Sequence, residues 1–336
     1  MLVSRTMLLS ASVLLLGTGC GAEPTAPTTP EETGTQQAAV NLCAGVPSNR
    51  PAQDFDGDGV SDLAVFNPPT GYWKIQSSLG STYSIQFGNS QSRVVAADYD
   101  GDGMTNIAVW DPATGVWKIR HDPFTTTTVQ LGQSGDIAVP GDYDGNGRAD
   151  VAVWRPSTGT WHILHTCYGT TVTTHWGQYG DLPVPADYDG DGKLDLAVFR
   201  PSNATWYVLY SSGSPSFIYP FGFSNDIPVP ADYTGDGKAE LAVFRPSNGT
   251  WYYLVNPATG TLAAAPFGQS GDVPVPADYD GDSKADFAVW RPYIAPSPSS
   301  SVWYYLYSST GNASYGSAAW GFAPGGDIAV KLYPTP

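Results

Sequence analysis

The chain has 336 residues and a formal charge of -16, from 31 acidic against 15 basic side chains, yet only 14% of its residues are charged. A shortage of Lys and Arg of this kind excludes the basic face that a nucleic-acid binder presents. With 38 Gly, 29 Pro and 13% aromatic residues, long helices are excluded, and 41% hydrophobic residues exclude wholesale disorder, leaving one large all-β domain or two smaller ones.

Residues 1–19 have the form of an export signal. Arg5 precedes an apolar run, Met7 to Leu16, too short to cross a bilayer, and Gly17-Thr18-Gly19-Cys20 follows. Small residues before a single cysteine resemble the lipobox of bacterial lipoproteins, which implies acylation of Cys20. Gly17 stands where that family favours Leu, so ordinary secretion stays open. Gly21 rather than Asp after the cysteine implies, by the same resemblance, an outer-membrane or cell-surface anchor, the lipid being the only contact with a membrane. Residues 20–48 are rich in Pro, Thr, Ala, Gln and Glu and hold no aromatic residue. Such a stretch buries too little apolar area to offset its ordering entropy and is expected to be a disordered tether. Cys43 and Cys167 are the remaining cysteines. Export permits them to pair, but their separation in sequence gives no geometric warrant, and the pairing stays open.

From residue 49 to the end one unit recurs six times, beginning at Asp54, Asp98, Asp142, Asp187, Asp232 and Asp278, at intervals of 44 to 46 residues. Each unit reads D-x-D-G-D-G-x-x-D or a variant, then an apolar run such as Leu196 to Phe199, then Arg-Pro-Ser-(Thr/Asn)-Gly-Thr-Trp or a variant. In the fourth unit strands are expected at Leu182–Tyr188, Leu194–Arg200, Thr205–Ser211 and Ser216–Phe221. Four short strands per unit of this length is the spacing of a β-propeller blade. The segment before each later loop, Gly135-Asp136-Ile137-Ala138-Val139 in one case, returns at the C-terminus as Gly326-Asp327-Ile328-Ala329-Val330 with no loop after it. The first loop lacks such a strand in front of it. A C-terminal strand completing the first blade therefore closes a ring of six; seven blades follow instead if residues 40–53 supply a strand of their own.

The aspartate loops carry the chemistry. A hard divalent cation takes oxygen ligands from a tight loop, with carboxylates at positions 1, 3 and 5, glycine at 6 and a carbonyl at 7. In the fourth loop those places hold Asp187, Asp189, Asp191, Gly192 and the carbonyl of Lys193, and Asp195 at position 9 replaces the Glu that an EF-hand has at position 12. A loop that closes its coordination at position 9 suits a strand, not a helix pair. Asp and Gly also build turns without metal, but six loops crowded with carboxylates favour an ion.

This chain from about residue 50 onward resembles the FG-GAP/VCBS repeat family, the calcium-bearing β-propellers also found in integrin α-subunit heads and in several lectins. The resemblance implies an all-β propeller of four-stranded blades holding up to six structural Ca2+ ions. It carries the ligand positions onto Asp54, Asp56, Asp58, Val60 and Asp62 in the first loop and Asp98, Asp100, Asp102 and Met104 in the second. In the third loop they fall on Asp142, Asp144, Asn146, Arg148 and Asp150, and in the fifth on Asp232, Asp236, Lys238 and Glu240. In the sixth they fall on Asp278, Asp280, Asp282, Lys284 and Asp286. Asn106, Asn146 and Thr234 replace acids in the second, third and fifth loops, and Ser283 replaces the position-6 glycine of the sixth, where it is expected to strain the turn. The first and fourth loops are expected to be the strongest and the fifth the weakest.

Most other recurrent residues read as architecture. Trp73, Trp117, Trp161, Trp206, Trp251 and Trp303 share one repeat position, and Phe66, Trp110, Trp154, Phe199, Phe244 and Trp290 another; packing between blades is favoured over sugar stacking. Arg155, Arg200, Arg245 and Arg291 are expected to bind carbonyls or neighbouring acids. Ligand selectivity is expected where the repeat breaks its pattern. The candidates are the Pro/Ser-rich insertion at Tyr293–Ser301, Asp111 in place of Arg beside Lys118, Arg120, His121 and Asp122, and the group His162, His165, Cys167 and His175. A transition-metal site on His165 and Cys167 is the sharper reading of that last group and satisfied histidines the blander one. Three functional classes follow. A monomeric binding or adhesion module for glycan or protein leads; a polysaccharide lyase or hydrolase needs an acid pair outside the loops, where only Asp111 and Asp122 stand apart from tether and repeat; a purely structural surface protein is the third. No catalytic residue and no ligand-contacting residue is named by the sequence.

Overall fold

The structure is a computed structural model and describes residues 53–292, 300–321 and 326–331. The export signal, Cys20, the tether, Cys43, residues 40–52 and the insertion up to Pro298 and Ser299 lie outside the described residues.

Six four-stranded antiparallel sheets form the blades of a β-propeller. Blade 1 joins Ile328–Ala329 to Leu63–Asn67, Tyr72–Gln76 and Thr82–Gln86. Blade 2 holds Arg93–Val94, Ile107–Asp111, Val116–Arg120 and Thr126–Gln130; blade 3 holds Ile137–Ala138, Val151–Arg155, Thr160–His165 and Thr170–His175. Blade 4 holds Leu182–Pro183, Leu196–Arg200, Thr205–Leu209 and Phe217–Pro220; blade 5 holds Ile227–Pro228, Ala242–Arg245, Thr250–Asn256 and Thr261–Pro266. Blade 6 holds Val273–Pro274, Phe287–Arg291, Val302–Leu306 and Tyr315–Ala319. The ring closes as expected: Ile328 and Ala329 pair with Phe66 and Val65, so the C-terminus completes the blade nearest the N-terminal end of the repeats.

Leu182–Tyr188 was expected to be one strand, but its regular pairing ends at Pro183. Val184 still donates to the Ala197 carbonyl and Ala186 still bridges Asp195, yet Pro185 between them has no N–H to donate. Every first strand is two residues long, including those of blades 1 and 2, where Lys331 and Ala96 stand at the place of Pro185.

The second strand of each blade is apolar throughout because both of its faces are buried between neighbours. In blade 1, Ala64 and Phe66 pack with Ile107 and Val109 of blade 2, while Leu63 and Val65 pack with Trp290 and Val275 of blade 6. Six such interblade cores complete the circle. All twelve recurrent Trp and Phe residues are buried in them, with the greatest exposure, 4%, at Trp290. Five of the third-strand tryptophans also donate their indole N–H to a carbonyl at the end of the fourth strand, as Trp206 does to Phe221 at 3.1 Å. Packing therefore accounts for these rings and removes them as a sugar platform.

Candidate functional site

Each second strand starts from an aspartate loop, and in blades 3 to 6 it ends at an arginine, so the two electrostatic devices of the repeat sit at opposite ends of these strands. The loops are joined into a ring of their own. The residue at position 8 donates its N–H to the position-1 carbonyl of the preceding loop: Thr105 to Asp54, Ala149 to Asp98, Leu194 to Asp142, Ala239 to Asp187, Ala285 to Asp232, and Ser61 to Asp278, all at 2.6–2.8 Å. The last of these bonds runs from blade 1 back to blade 6. The stems of Lys193, Lys238 and Lys284 lie over Gly145, Gly190 and Gly235 of the preceding loop, where a Cβ would collide with them.

Within a loop, the position-1 aspartate shapes the turn. Asp187 accepts the N–H groups of Gly190 and Gly192 at 2.6 and 2.8 Å, and both glycines adopt positive φ, 79° and 85°. Ser283 takes the same conformation in the sixth loop at φ 68°, so the strain expected of a side chain there is present. The position-5 residue accepts the N–H of position 7: Asp58 from Val60, Asp102 from Met104, Asn146 from Arg148, Asp191 from Lys193, Asp236 from Lys238 and Asp282 from Lys284.

The position-9 group is the most buried. Asp195 accepts from the N–H of Tyr188 at 2.8 Å and of Ser211 at 2.7 Å, and the side chains of Asp62, Asp150 and Asp286 are held the same way. Burial is the leading cause that pushes these carboxyls up, to about 7 for Asp62, Glu240 and Asp286 and about 6 for Asp150 and Asp195. Backbone donors oppose it and neighbouring loop acids add to it. Burial also raises the position-1 acids Asp54, Asp98, Asp142, Asp187 and Asp278.

The position-3 acids supply the test of whether a cation fits. Asp100 Oδ1, Asp144 Oδ2, Asp189 Oδ1 and Asp280 Oδ1 are each buried without a hydrogen bond, and a buried carboxylate oxygen left this way carries a desolvation cost that a cation would remove. Oxygen donors converge in four of the loops: Asp54, Asp56 and Asp58; Asp98, Asp100 and Asp102; Asp187, Asp189 and Asp195; and Asp232, Asp236 and Glu240 bring donor atoms within 4.8 Å of one another. Hard oxygen sets of this kind suit calcium. The fifth loop departs as expected: Thr234 donates its hydroxyl to Glu240 at 3.0 Å. In the second loop the Asn106 amide faces Asp100 at 3.4 Å.

A set of residues five places after the recurrent Trp was missed at the sequence level. Ser78, Thr166, Ser211 and Ser308 give their N–H to the position-9 acid. The hydroxyls of Ser78, Ser211 and Ser308 reach Asp58, Asp191 and Asp282. Their fixed offset from Trp was the available signal. Blades 2 and 5 have Asp122 and Asn256 at this place, and in blade 5 the third and fourth strands shift register between Leu254 and Asn256.

At the other end, Arg155, Arg200, Arg245 and Arg291 make two-pronged ion pairs with Asp136, Asp181, Asp226 and Asp272 at 2.7–2.9 Å. The expected partner was an acid or a carbonyl, and the acid is the repeat position before each loop. In blade 1, Asn67 and Lys74 take Asp327 instead, at 2.7 and 2.9 Å. Blade 2 has Asp111 and Ser92 at the corresponding places, and a cleft of about 340 Å³ lies there between Asp111 and Lys118. Asp122 accepts from the N–H groups of Phe124 and Thr125 and caps its own turn. A larger cleft of about 520 Å³, lined by Tyr253, Phe267, Arg291, Tyr304, Asn312 and Tyr315, separates blades 5 and 6. Of the third-unit group, His165 reaches the aspartate loop and His175 is exposed. Cys167 is disulfide-bonded, its partner lying outside the described residues, so the thiol half of the transition-metal reading falls away.

The family model of the FG-GAP-like repeat matches residues 54–109, 187–243 and 232–289, so the chain carries FG-GAP-like repeats on a six-bladed propeller. No curated protein matches it in sequence. Among solved structures, an Agrocybe aegerita lectin that specifically recognises non-reducing terminal N-acetylglucosamine is similar with a TM-score of 0.52 and 14% identity, over 83% of this chain and 97% of the lectin. A streptogramin B lyase is similar at 0.48 and 11%, over 80% of this chain and 93% of its own. A catalytically inactive virginiamycin B lyase from Staphylococcus aureus is similar at 0.47 and 10%, over 70% and 74%. At these identities the likeness concerns the fold.

Proposed function

We propose that the protein is an exported, calcium-stabilised β-propeller that acts as a monomeric glycan-binding module, with its ligand in the cleft between blades 5 and 6. The carrying observation is that cleft. Tyr304 and Tyr315 bring aromatic rings, and Arg291 and Asn312 bring polar groups, to a volume of about 520 Å³. Sugar rings are bound by this mixture of flat apolar faces and oriented hydrogen-bonding groups. The cleft also lies on the unit that breaks the repeat most, and the fold of the N-acetylglucosamine-recognising lectin is of the same kind. Asp272, the acid that reaches Arg291, is held in a two-pronged pair, which favours binding over turnover.

In this reading the loops would hold calcium through their position-1, 3, 5 and 9 acids. The ion supplies positive charge to buried carboxylates and so fixes the start of each second strand. Cys20 would carry the lipid, and Cys20→Ser would release the protein from the membrane fraction. A glycan array with the purified chain tests the ligand class. Tyr315→Ala, at a residue 67% exposed, is expected to weaken the best glycan about tenfold without a change in melting temperature. An array without a hit, or a Tyr315→Ala variant that binds as the parent does, rejects the cleft.

A further inference from the structure

The second and third aspartate loops each receive a histidine nitrogen, and in the third that nitrogen meets two carboxylates. His165 occupies the place, four residues after the recurrent Trp, where blade 4 has Tyr210 and blade 6 has Tyr307. Its Nδ1 lies 2.9 Å from Asp150 Oδ2 and 3.3 Å from Asp144 Oδ2. Those three donor atoms converge within 4.8 Å of one another. The Asp150 side chain is fully buried, and Asp144 Oδ2 is buried without a hydrogen bond. Position 5 of the same loop is Asn146, so this loop has also lost an acid.

We propose that the third loop is a mixed nitrogen–oxygen site for a borderline divalent ion of the Zn2+ class, built from His165, Asp144 and Asp150, and not a further calcium loop. Imidazole is a good donor to zinc and its neighbours, whereas calcium takes oxygen almost exclusively. Two ligands of one zinc ion at about 2.0–2.1 Å in tetrahedral array stand about 3.3 Å apart, and closer at smaller angles. The 3.3 Å separation of His165 Nδ1 from Asp144 Oδ2 falls at this value, and the 2.9 Å separation from Asp150 Oδ2 is that of a hydrogen bond whose proton the ion would replace. His121, at the same repeat position in blade 2, is accounted for otherwise. Its two ring nitrogens are engaged by Asp100 at 3.0 Å and Thr127 at 2.9 Å, and its loop has Asn106 at position 9. The proposal shares with the calcium reading only the premise that the loops take cations.

The test uses the whole exported chain, stripped of metal, saturated with calcium, then titrated with Zn2+ by calorimetry and with Co2+ by visible absorption. One tight zinc per chain is expected to survive excess calcium, and cobalt is expected to give ligand-field bands. His165→Ala should weaken zinc at least about 100-fold, since even outer-shell changes around zinc cost about 10- to 100-fold. His121→Ala should leave zinc binding as it is, and a retained calcium-dependent melting transition shows that both variants fold. No zinc bound beside calcium, or zinc bound equally by His165→Ala, overturns the proposal and leaves the calcium reading standing. Zinc bound by a chain that ignores calcium upholds it and removes calcium.

Discussion

Blades 4 and 2 are built on the same sheet with different charges. Blade 4 keeps both devices of the repeat: four acids around its loop and the Arg200–Asp181 pair, whose acid is fully buried, at the far end of the strand. Blade 2 has neither in full, with Asn106 at position 9, Asp111 for the arginine and Ser92 for its acid. Its middle is nonetheless unchanged: Ile107, Ala108, Val109, Trp110 and Trp117 are as buried as their counterparts in blade 4. The interblade apolar cores therefore make the fold, and the charges at the two ends of each strand are separable additions. The -16 of the sequence belongs mostly to one end, since 21 of the 31 acids stand at loop positions 1, 3, 5 and 9. Five more, Asp136, Asp181, Asp226, Asp272 and Asp327, are paired at the other end with Arg or Lys.

The largest effect that would break or sharpen this contrast comes from removing metal. A site filled at 100 times its dissociation constant stabilises by about 2.7 kcal/mol, so several calcium loops emptied together should lower the melting temperature by more than about 10 °C. An unchanged melting curve after exhaustive chelation would sink the metal reading of all six loops. The effect should also depend on pH in a fixed direction. Without metal, Asp62, Glu240 and Asp286 titrate at about 7 and Asp150 and Asp195 at about 6, above the ordinary range near 4. Their folded values are raised, so between about pH 4 and 7 the folded chain holds protons that the unfolded chain has lost, and metal-free stability falls as pH rises through that window. Calcium needs the same groups ionised. The gap between loaded and chelated melting temperatures should therefore widen from pH 5 to pH 8, and a constant gap would show that these acids are not its ligands.

Much of this architecture was legible because it is written in side chains. An unbroken apolar run marks the second strands, the returning Gly-Asp-Ile-Ala-Val segment marks the closure, and the loop acids mark their own convergence. What could not be read was carried by backbone or by distance in sequence. The ring of N–H bonds from position 8 to position 1 of the preceding loop uses main-chain atoms that any residue supplies. The early end of the Leu182 strand is shared by all six first strands, including those with Ala96 and Lys331 where Pro185 stands, so it belongs to the blade and not to one residue. His165 lies 15 residues beyond Asp150, so its entry into the loop depends on how the third strand folds back, which spacing alone does not reveal. One detail was present and unread: Tyr99, Tyr143, Tyr188, Tyr233 and Tyr279 each bond a carbonyl four residues upstream, and the first loop has Phe55 there. A hydroxyl is dispensable where the preceding strand arrives from the far end of the chain.

A smaller effect separates the far ends of the two blades. Arg200→Ala leaves the buried Asp181 carboxylate without its cation and should cost about 3 kcal/mol in denaturant unfolding. Asp111→Ala in blade 2 removes a group that forms no ion pair among the described residues and should cost less than about 0.5 kcal/mol. Equal losses would mean that Asp111 has a structural task the pair comparison does not capture.

The smallest effect comes from giving blade 2 what blade 4 has. Ser92→Asp with Asp111→Arg places both partners at the positions where four other blades hold them, and the cleft of about 340 Å³ offers the arginine its space. Bringing two charges out of water offsets most of their attraction, so the double variant should gain no more than about 1 kcal/mol over the parent. The single changes are the informative controls: Ser92→Asp alone buries an acid beside Asp111 and should destabilise, and restoration by Asp111→Arg should exceed the sum of the two singles. A gain of 3 kcal/mol or more would instead show that the pair drives the fold and that blade 2 is the weak point of the ring. A gain near zero leaves the apolar cores as the sole determinant and marks the pairs as devices that position the strand ends.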